Sequence, residues 1–363
     1  MIKLILISDL TGGPGGVYTY LKQLESNLNS IFDVTILLEH NTKNQIQNIY
    51  KFKKAVFIPL SQKYNNEDSI NTSLQTTINN IKPNVIHIIN GSIKSNLIIR
   101  EFLLEERIPF IVTEQYIDRE HLIPEILRKR LFDIHSQTYM TIFVSNENRS
   151  IATTKYNINP TNSMVITNSV NVSVFKKEQF NSTPYSFFTV GRCVEQKGID
   201  IIIKSLSIIK DKKIEFHVIG GGENEYKYLE MAKSLLNYNI DFRILPWQKN
   251  INYADFIKKY DLYISASRDE GLSYSLLEVT TYGMPIICSR CSGNVELIEE
   301  NNRGSLFPIN DYQSLAREIV KFIDSPTQLI NLAKFNTMIT DSKYNLDNQI
   351  KKLVDIYKKL LTR

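Results

Sequence analysis

The sequence predicts an α/β protein built from two successive parallel-sheet halves, and three observations carry that prediction. Short β-rich runs alternate with longer amphipathic ones along the first part of the chain. The rhythm slackens over NSVNVSVFKKEQFNSTPY, residues 168–185, where polar and turn-forming residues dominate and no period survives. It then restarts with SFFTVG and runs on. Such alternation is the βαβ signature of a parallel sheet covered by helices on both faces.

Element by element, KLILIS, VTILL, AVFIPL, NVIHII, PFIVT and MTIFVS read as buried strands of the first half, with VYTYLKQLESNL as its first helix. The second half reads as strand SFFTVG, helix IDIIIKSLSII, strand IEFHVIG, a helix near ENEYKYLEMAKSLL, then strands DFRIL, DLYISAS and PIICS. Both are Rossmann-like layer systems. From Asp311 onward the pattern is mostly helical, and NLDNQIKKLVDIYKKLLTR carries apolar residues at helical spacing. The expected division is 1–180, 181–345 and a last helix over 346–363, which packs across the junction or caps the second half.

With 363 residues the chain is long for one core and suits two. A composition of 42% hydrophobic and 22% charged residues fits a globular protein and argues against disorder. The charge balance, 43 basic against 38 acidic residues, gives only +5, so nucleic-acid binding is not implied. Cys193, Cys288 and Cys291 are odd in number, and Cys288 lies in an apolar run, so reduced thiols in a cytosolic compartment are expected. Cys288 and Cys291 have no second pair with which to hold zinc. MIKLILISDL runs into a glycine turn and carries Asp9, which marks a first strand rather than a signal peptide. No stretch approaches the ~18 uncharged apolar residues of a membrane helix.

Three glycine-bearing loops follow predicted strands. In TGGPGGVYTYL, Gly12, Gly13, Gly15 and Gly16 let backbone approach an anion without a Cβ in the way, although a glycine turn is useful structurally as well. The loop is neither a dinucleotide fingerprint nor a Walker loop. VGRCVEQKGID sets Arg192 and Lys197 past a strand end, where open α/β sheets bind ligands. Two cations there suit a diphosphate, while either alone reads as a solvated charge. VIGGGENEY, with Gly220 to Gly222, serves equally as a tight turn or a phosphate-facing loop.

A fourth segment, SRDEGLSYSLLE, puts Glu270 before a Gly-Leu-Ser turn and Glu278 eight positions on. Ser275 and Glu278 fit a capping box, which accounts for Glu278 by helix capping alone. It leaves Glu270, Arg192 and Lys197 as unrelated charges, whereas one bound sugar diphosphate accounts for all four.

Arg192 with Lys197, the Glu270 to Glu278 spacing, TYGMP and SRCSGNVELIEENNRGSLF resemble the family-4 retaining glycosyltransferases of GT-B fold. GGVYTYL, VSNENRSIATTKYNI and VITNSVNVSVF extend the resemblance to the first half. It implies two facing Rossmann-like domains with a cleft between them, the donor held mainly by the second and the acceptor by the first. By resemblance, Arg192 and Lys197 contact the donor diphosphate, Glu278 the ribose, and Glu270 the transferred sugar. Gly271, Leu272 and Ser273 close around sugar and phosphate. Gly15 and Gly16 approach the diphosphate, and Trp247 and Gln248 lie where backbone groups read the base. Glu270, Arg192 and Lys197 are the expected catalytic set. No Asp-x-Asp pair occurs, so two cations are expected to replace a metal and no cofactor is expected.

The sequence departs from the pattern where many relatives carry a histidine after the PFIVT strand. Gln115 stands there, and His121 is the nearest loop histidine. HLIPEILRKRLF, residues 121–132, sets Arg128, Lys129 and Arg130 among apolar residues, as either a solvated amphipathic helix or one resting on an anionic membrane face. The expected function is retaining transfer of a hexose or N-acetylhexosamine, from a UDP-sugar by preference, to a glycan or lipid-linked glycan in bacterial surface polysaccharide synthesis. A GT-B nucleotide-sugar epimerase and a non-catalytic sugar-nucleotide binding protein are the alternatives.

Overall fold

The computed structural model describes residues 1–363 except 12–14, 119–122, 159, 161, 172–182, 248–255, 300–302, 326, 328–330, 332–342 and 363. The chain divides into two compact units, Met1–Asn168 with Asp347–Arg363, and Ser169–Leu346.

The first unit holds β1 (Ile2–Ser8), β2 (Phe32–Glu39), β3 (Ala55–Ile58), β4 (Val85–Asn90), β5 (Ile111–Glu114), β6 (Met140–Phe143) and β7 (Ser163–Val165). They form one parallel sheet in the order β3-β2-β1-β4-β5-β6-β7. Its helices are α1 (Gly16–Leu28), α2 (Lys43–Tyr50), α3 (Glu67–Ile81), α4 (Leu97–Glu105), α5 (Glu125–Gln137) and α6 (Asn146–Thr154). Leu4, Ile5, Leu6 and Ile7 are all fully buried, which is why β1 reads as an unbroken apolar run instead of an alternating one. Helix starts are chemically marked: Asn66 accepts from Ser69 N at 2.8 Å and Ser145 from Asn148 N at 3.1 Å.

The second unit holds β8 (Tyr185–Val190), α7 (Ile199–Ser207), β9 (Ile214–Ile219), α8 (Glu225–Leu235), β10 (Ile240–Leu245), β11 (Leu262–Ser265), α9 (Tyr274–Thr281), β12 (Ile286–Ser289), α10 (Ser292–Glu299), β13 (Ser305–Phe307) and α11 (Tyr312–Asp324). This sheet is also parallel, ordered β10-β9-β8-β11-β12-β13. Its core joins Ile202, Ile203 and Leu206 of α7 to Phe216, Val218, Leu262 and Ile264 of the strands and Leu315 and Ile319 of α11.

The last helix, α12 (Leu346–Leu361), returns to the first unit. Tyr357 hydrogen-bonds His87 Nδ1 at 2.7 Å, and His87 Nε2 meets Thr113 Oγ1 at 2.7 Å. Gln349 Nε2 donates to the Thr167 carbonyl at 2.8 Å. Burial lowers the His87 pKa to about 3, so the imidazole stays neutral and serves as a fixed pin between strand and helix.

The strand order of each sheet reverses once. In the first, β1 has β2 on one side and β4 on the other; in the second, β8 lies between β9 and β11. In open α/β sheets, ligands bind outside the carboxyl ends of the strands at such a point.

Candidate functional site

The reversal in the second unit brings together two loops that are far apart in sequence. One follows β8 and carries Arg192 and Lys197; the other follows β11 and carries Glu270. Lys197 Nζ forms an ion pair with Glu270 Oε1, and Ser267 Oγ donates to the same oxygen at 2.9 Å. The side chains of Lys197 and Glu270 keep 21% and 11% of their surface accessible, so the pair is sheltered yet reachable.

Both loops are shaped by glycines. Gly198 is left-handed at φ 62°, and a Cβ there would stand 2.0 Å from the Ala266 carbonyl oxygen, so the first loop lies directly on the end of β11. A Cβ on Gly293 would stand 2.1 Å from the Gly271 carbonyl oxygen, so the start of α10 presses on the Glu270 loop from the other side.

A strap of polar contacts ties the loops together, and sequence reasoning overlooked it. Arg268 donates to Asp200 Oδ1 at 3.0 Å and Oδ2 at 2.7 Å, and also to the Glu195 carbonyl. The Arg268 backbone N–H donates to the Gln196 carbonyl at 2.8 Å, and Gln196 Nε2 donates to the Asp269 carbonyl at 2.8 Å. The Asp200 hydrogen bonds raise the Arg268 pKa against the opposing effect of burial. A signal was available: Arg268 stands two residues before Glu270 and Asp200 three after Lys197, with opposite charge.

The expected capping box is corrected. Helix α9 starts at Tyr274, and its N-cap is Ser273, whose hydroxyl accepts from Leu276 N at 3.4 Å. Ser275 lies inside the helix, bonded to Tyr263 Oη and Ser273 Oγ at 3.0 Å each. Glu278 is therefore one turn into α9, half-buried, and not at a capping position. Gly271, Leu272 and Ser273 are buried between Glu270 and the helix.

The remaining expected residues lie on other segments of the chain. Arg192 is exposed just past the end of β8. Trp247 is 50% exposed just after β10, and Gln248 lies outside the described residues. In the first unit Gly15 is the N-cap of α1 and Gly16 its first residue; the Tyr50 hydroxyl meets Gly15 N at 3.2 Å. The cysteines are buried and unpaired as disulfides. Burial, then Glu270, pushes the Cys291 thiol to about 12, and burial raises Cys193 to about 11.

The first unit's strand ends are polar too. Asp9 and Asn96 exchange hydrogen bonds at the β1/β4 reversal, Asn96 N to Asp9 Oδ2 at 2.6 Å and Asp9 N to Asn96 Oδ1 at 2.8 Å. Burial raises the Asp9 pKa to about 6, against the lowering effect of the Asn96 N–H and Arg100. Asn96 continues to Asn90 at 2.8 Å and Asn90 to Glu114 at 2.7 Å, where buried Arg100 and His135 lie 3.7 and 3.3 Å from the same oxygen. Gln115 accepts from Asn168 at 2.9 Å, while its own Nε2 has no partner among the described residues. His121 lies outside the described residues. On α5, Ile126 is 79% and Phe132 41% exposed, and Arg130 pairs with Glu101 at 2.6 Å. Among the described residues no helix is long and apolar enough to cross a membrane.

Two Rossmann-like units, each with its charged and polar groups at the carboxyl ends of a parallel sheet, define a GT-B protein. The whole chain superposes on sucrose-phosphate synthase from Thermosynechococcus elongatus with a TM-score of 0.82 at 14% identity, covering 100% of both chains. It superposes on Anabaena Alr3699/HepE in complex with UDP at TM-score 0.79 and 14% identity, covering 99% of this chain and 100% of that one. Residues 173–337, within the second unit, match the family described as glycosyl transferases group 1. The Escherichia coli UDP-Gal:alpha-D-GlcNAc-diphosphoundecaprenol alpha-1,3-galactosyltransferase is 25% identical over 243 residues, 61% of this chain and 60% of that protein. The chain spans about half the length of the curated relatives it matches.

Proposed function

We propose that the protein is a retaining glycosyltransferase that moves a hexose or N-acetylhexosamine from a nucleotide-diphosphate sugar, a UDP-sugar by preference, to a glycan or lipid-linked glycan. The observation that carries this reading is the Lys197–Glu270 pair at the strand reversal of the second unit. A cation and a carboxylate held side by side suit the two ends of one substrate, the departing phosphate and the sugar hydroxyls. Anabaena Alr3699/HepE, solved with UDP, and the E. coli galactosyltransferase, named for a lipid-linked diphosphate acceptor, support the choice of donor and acceptor class.

In the proposed reaction the bond from the anomeric carbon to the leaving phosphate oxygen breaks, and a bond to the acceptor oxygen forms on the same face. The acceptor proton passes to the departing phosphate oxygen. Lys197 and exposed Arg192 balance the negative charge that develops there, in the role a metal plays elsewhere. Glu270 orients the sugar through its hydroxyls, Glu278 the ribose, and Gly271, Leu272 and Ser273 line the sugar. Gly15, Gly16, Trp247 and Gln248 keep their donor assignments within this proposal, and α5 with its exposed Ile126 and Phe132 is the face for an anionic membrane surface. Surface polysaccharide assembly on the inner side of that membrane is the setting.

The test is a panel of nucleotide sugars incubated with chelator and candidate acceptors, with released nucleoside diphosphate measured and the product anomer read by NMR. Acceptor-dependent release with retained configuration is expected. Binding with no release under any acceptor refutes the reading and favours a sugar-nucleotide binding protein.

A further inference from the structure

We propose that Arg268 and Asp200 are positioning residues, forming a clamp that holds Lys197 against Glu270 without touching the substrate. This rests on the reading of Lys197 and Glu270 as donor-site residues. The two loops leave different strands and have no covalent reason to keep register. Their register is set by contacts that bracket the ion pair. Asp200, three residues after Lys197 and in the first turn of α7, takes both arms of the Arg268 fork at 3.0 and 2.7 Å. Arg268 also returns to the Glu195 carbonyl, two residues before Lys197. Gln196, next to Lys197, accepts from the Arg268 N–H at 2.8 Å and donates to the Asp269 carbonyl at 2.8 Å, next to Glu270.

The guanidinium is thus spent inside the protein. Its planar fork is matched by a carboxylate, and one of its arms also serves a carbonyl, so it is not a spare cation for a phosphate. Arg268 and Asp200 side chains retain only 21% and 20% accessibility, which shelters the bond from competing water. Lys197 has a long flexible stem that rests against Gly191, where a Cβ would stand 3.2 Å from its Cε. Fixing the backbone on both sides of Lys197 is the available way to fix where that stem starts. A fork, not a point charge, is needed, because two parallel bonds fix angle as well as distance.

The experiment reads Lys197 directly. Reductive methylation followed by peptide mass spectrometry gives its labelling rate in the full chain, and nucleotide-sugar turnover is measured on the same samples. In Arg268→Gln, Lys197 labelling rises about fivefold as a sheltered pair worth roughly 1 kcal/mol loosens. Turnover number falls at least about tenfold through misplacement, with donor KM changed by less than about threefold. Arg268→Lys, which keeps the charge and loses the fork, behaves as Arg268→Gln does. Asp200→Asn, close in volume, gives the same labelling increase and serves if Arg268→Gln does not fold.

Unchanged Lys197 labelling in Arg268→Gln and Asp200→Asn overturns the clamp, whatever the turnover. Wild-type labelling in Arg268→Lys overturns the claim that the fork sets the position. Labelling that rises in all three while the wild type releases no nucleotide from any donor leaves the clamp standing and removes the proposed transferase reading. Turnover in the wild type that is untouched by all three variants overturns the positioning role and leaves the transferase reading intact.

Discussion

Glu270→Gln is expected to tighten the binding of free nucleoside diphosphate while it abolishes transfer. Without ligand, Lys197 is already occupied by Glu270. A diphosphate must therefore compete for Lys197 with a carboxylate and also accept that carboxylate as a neighbour. The pair is intermediate between two regimes: exposed pairs contribute about 0–1 kcal/mol, and removing one partner of a buried pair costs about 3–5 kcal/mol. With 21% and 11% of the two side chains accessible, the discounted value is about 1 kcal/mol, equivalent to roughly fivefold in affinity. Glutamine keeps an oxygen for the Ser267 hydroxyl, now 2.9 Å from Glu270, so the loop has no reason to collapse. Titration calorimetry with UDP and GDP on both proteins measures the affinity, and nucleotide release with a donor and acceptor measures transfer. A Glu270→Gln protein that binds nucleoside diphosphate tenfold more weakly, or that retains wild-type turnover, refutes the reasoning.

Three further outcomes are expected. Asp9→Asn should flatten the pH dependence of stability. Burial raises the folded pKa of Asp9 from 3.8 to about 6, so the folded state holds the proton more tightly and wild-type stability falls as pH rises between those values. At pH 8 the variant should gain at most about 3 kcal/mol in urea melts, and a variant less stable than wild type at pH 8 contradicts this. Tyr357→Phe should cost about 1–3 kcal/mol by leaving His87 Nδ1 buried without its partner, seen as a lower thermal midpoint. A midpoint unchanged within error would mean the pin is idle. Gly293→Ala forces a Cβ to within 2.1 Å of the Gly271 carbonyl oxygen, so the Glu270 loop must shift. Transfer should drop at least about tenfold even if the protein remains folded, because misplaced groups forfeit orientation; normal turnover would show that the loop position is not critical.

The alternation of apolar runs and amphipathic helices was enough to read the two parallel sheets, because strands buried on both faces are written as continuous Val, Ile and Leu segments. The edge strands β7 and β13 escaped, since three residues with half-exposed ends such as Ser163–Val165 carry no period to detect. Lys197 and Glu270 were legible as strand-end charges, but their contact was not: it depends on β11 lying beside β8, a strand order that local pattern does not encode. Arg268 is not legible as a clamp in the sequence, because a charged loop residue usually faces water and its partner Asp200 lies 68 positions away. Ser275 misled for a local reason. The S-x-x-E spacing matches a capping box, but the Gly-Leu-Ser turn lets the helix begin one residue after Ser273, and the earlier serine takes the cap.

The distribution of buried polar groups argues for a ligand end independently of any relative. Placing a polar side chain in a protein interior costs free energy unless it is hydrogen-bonded, so such groups are expected where something other than stability requires them. In the second unit Ser265, Ser267, Asp269, Glu270, Ser273, Ser289 and Asn294 are all buried, and all lie at or just beyond the carboxyl ends of β11 and β12. In the first unit Ser8, Glu39, Asn90, Glu114, Gln115, Ser145 and Asn148 are buried at the same ends of β1, β2, β4, β5 and β6. Much of this set is self-satisfying: Glu39 alone accepts from Leu60 N, Ser61 N and Asn65 Nδ2 at 2.8, 2.6 and 3.1 Å. Burial works against the Glu39 charge, and hydrogen bonds from the Leu60, Ser61 and Asn41 backbone and the Asn41 side chain outweigh it, holding its pKa below the usual carboxylate value. Gln115 Nε2, just past β5, and Asn148 Oδ1, in the first turn of α6, lack partners among the described residues, where a donor and an acceptor would otherwise be wasted. A chain selected only to fold could fill such strand ends with Leu and Val. The polar residues there keep a preorganised, charged surface at one end of each sheet, and a polyhydroxylated, phosphorylated substrate is the kind of molecule whose binding would use it.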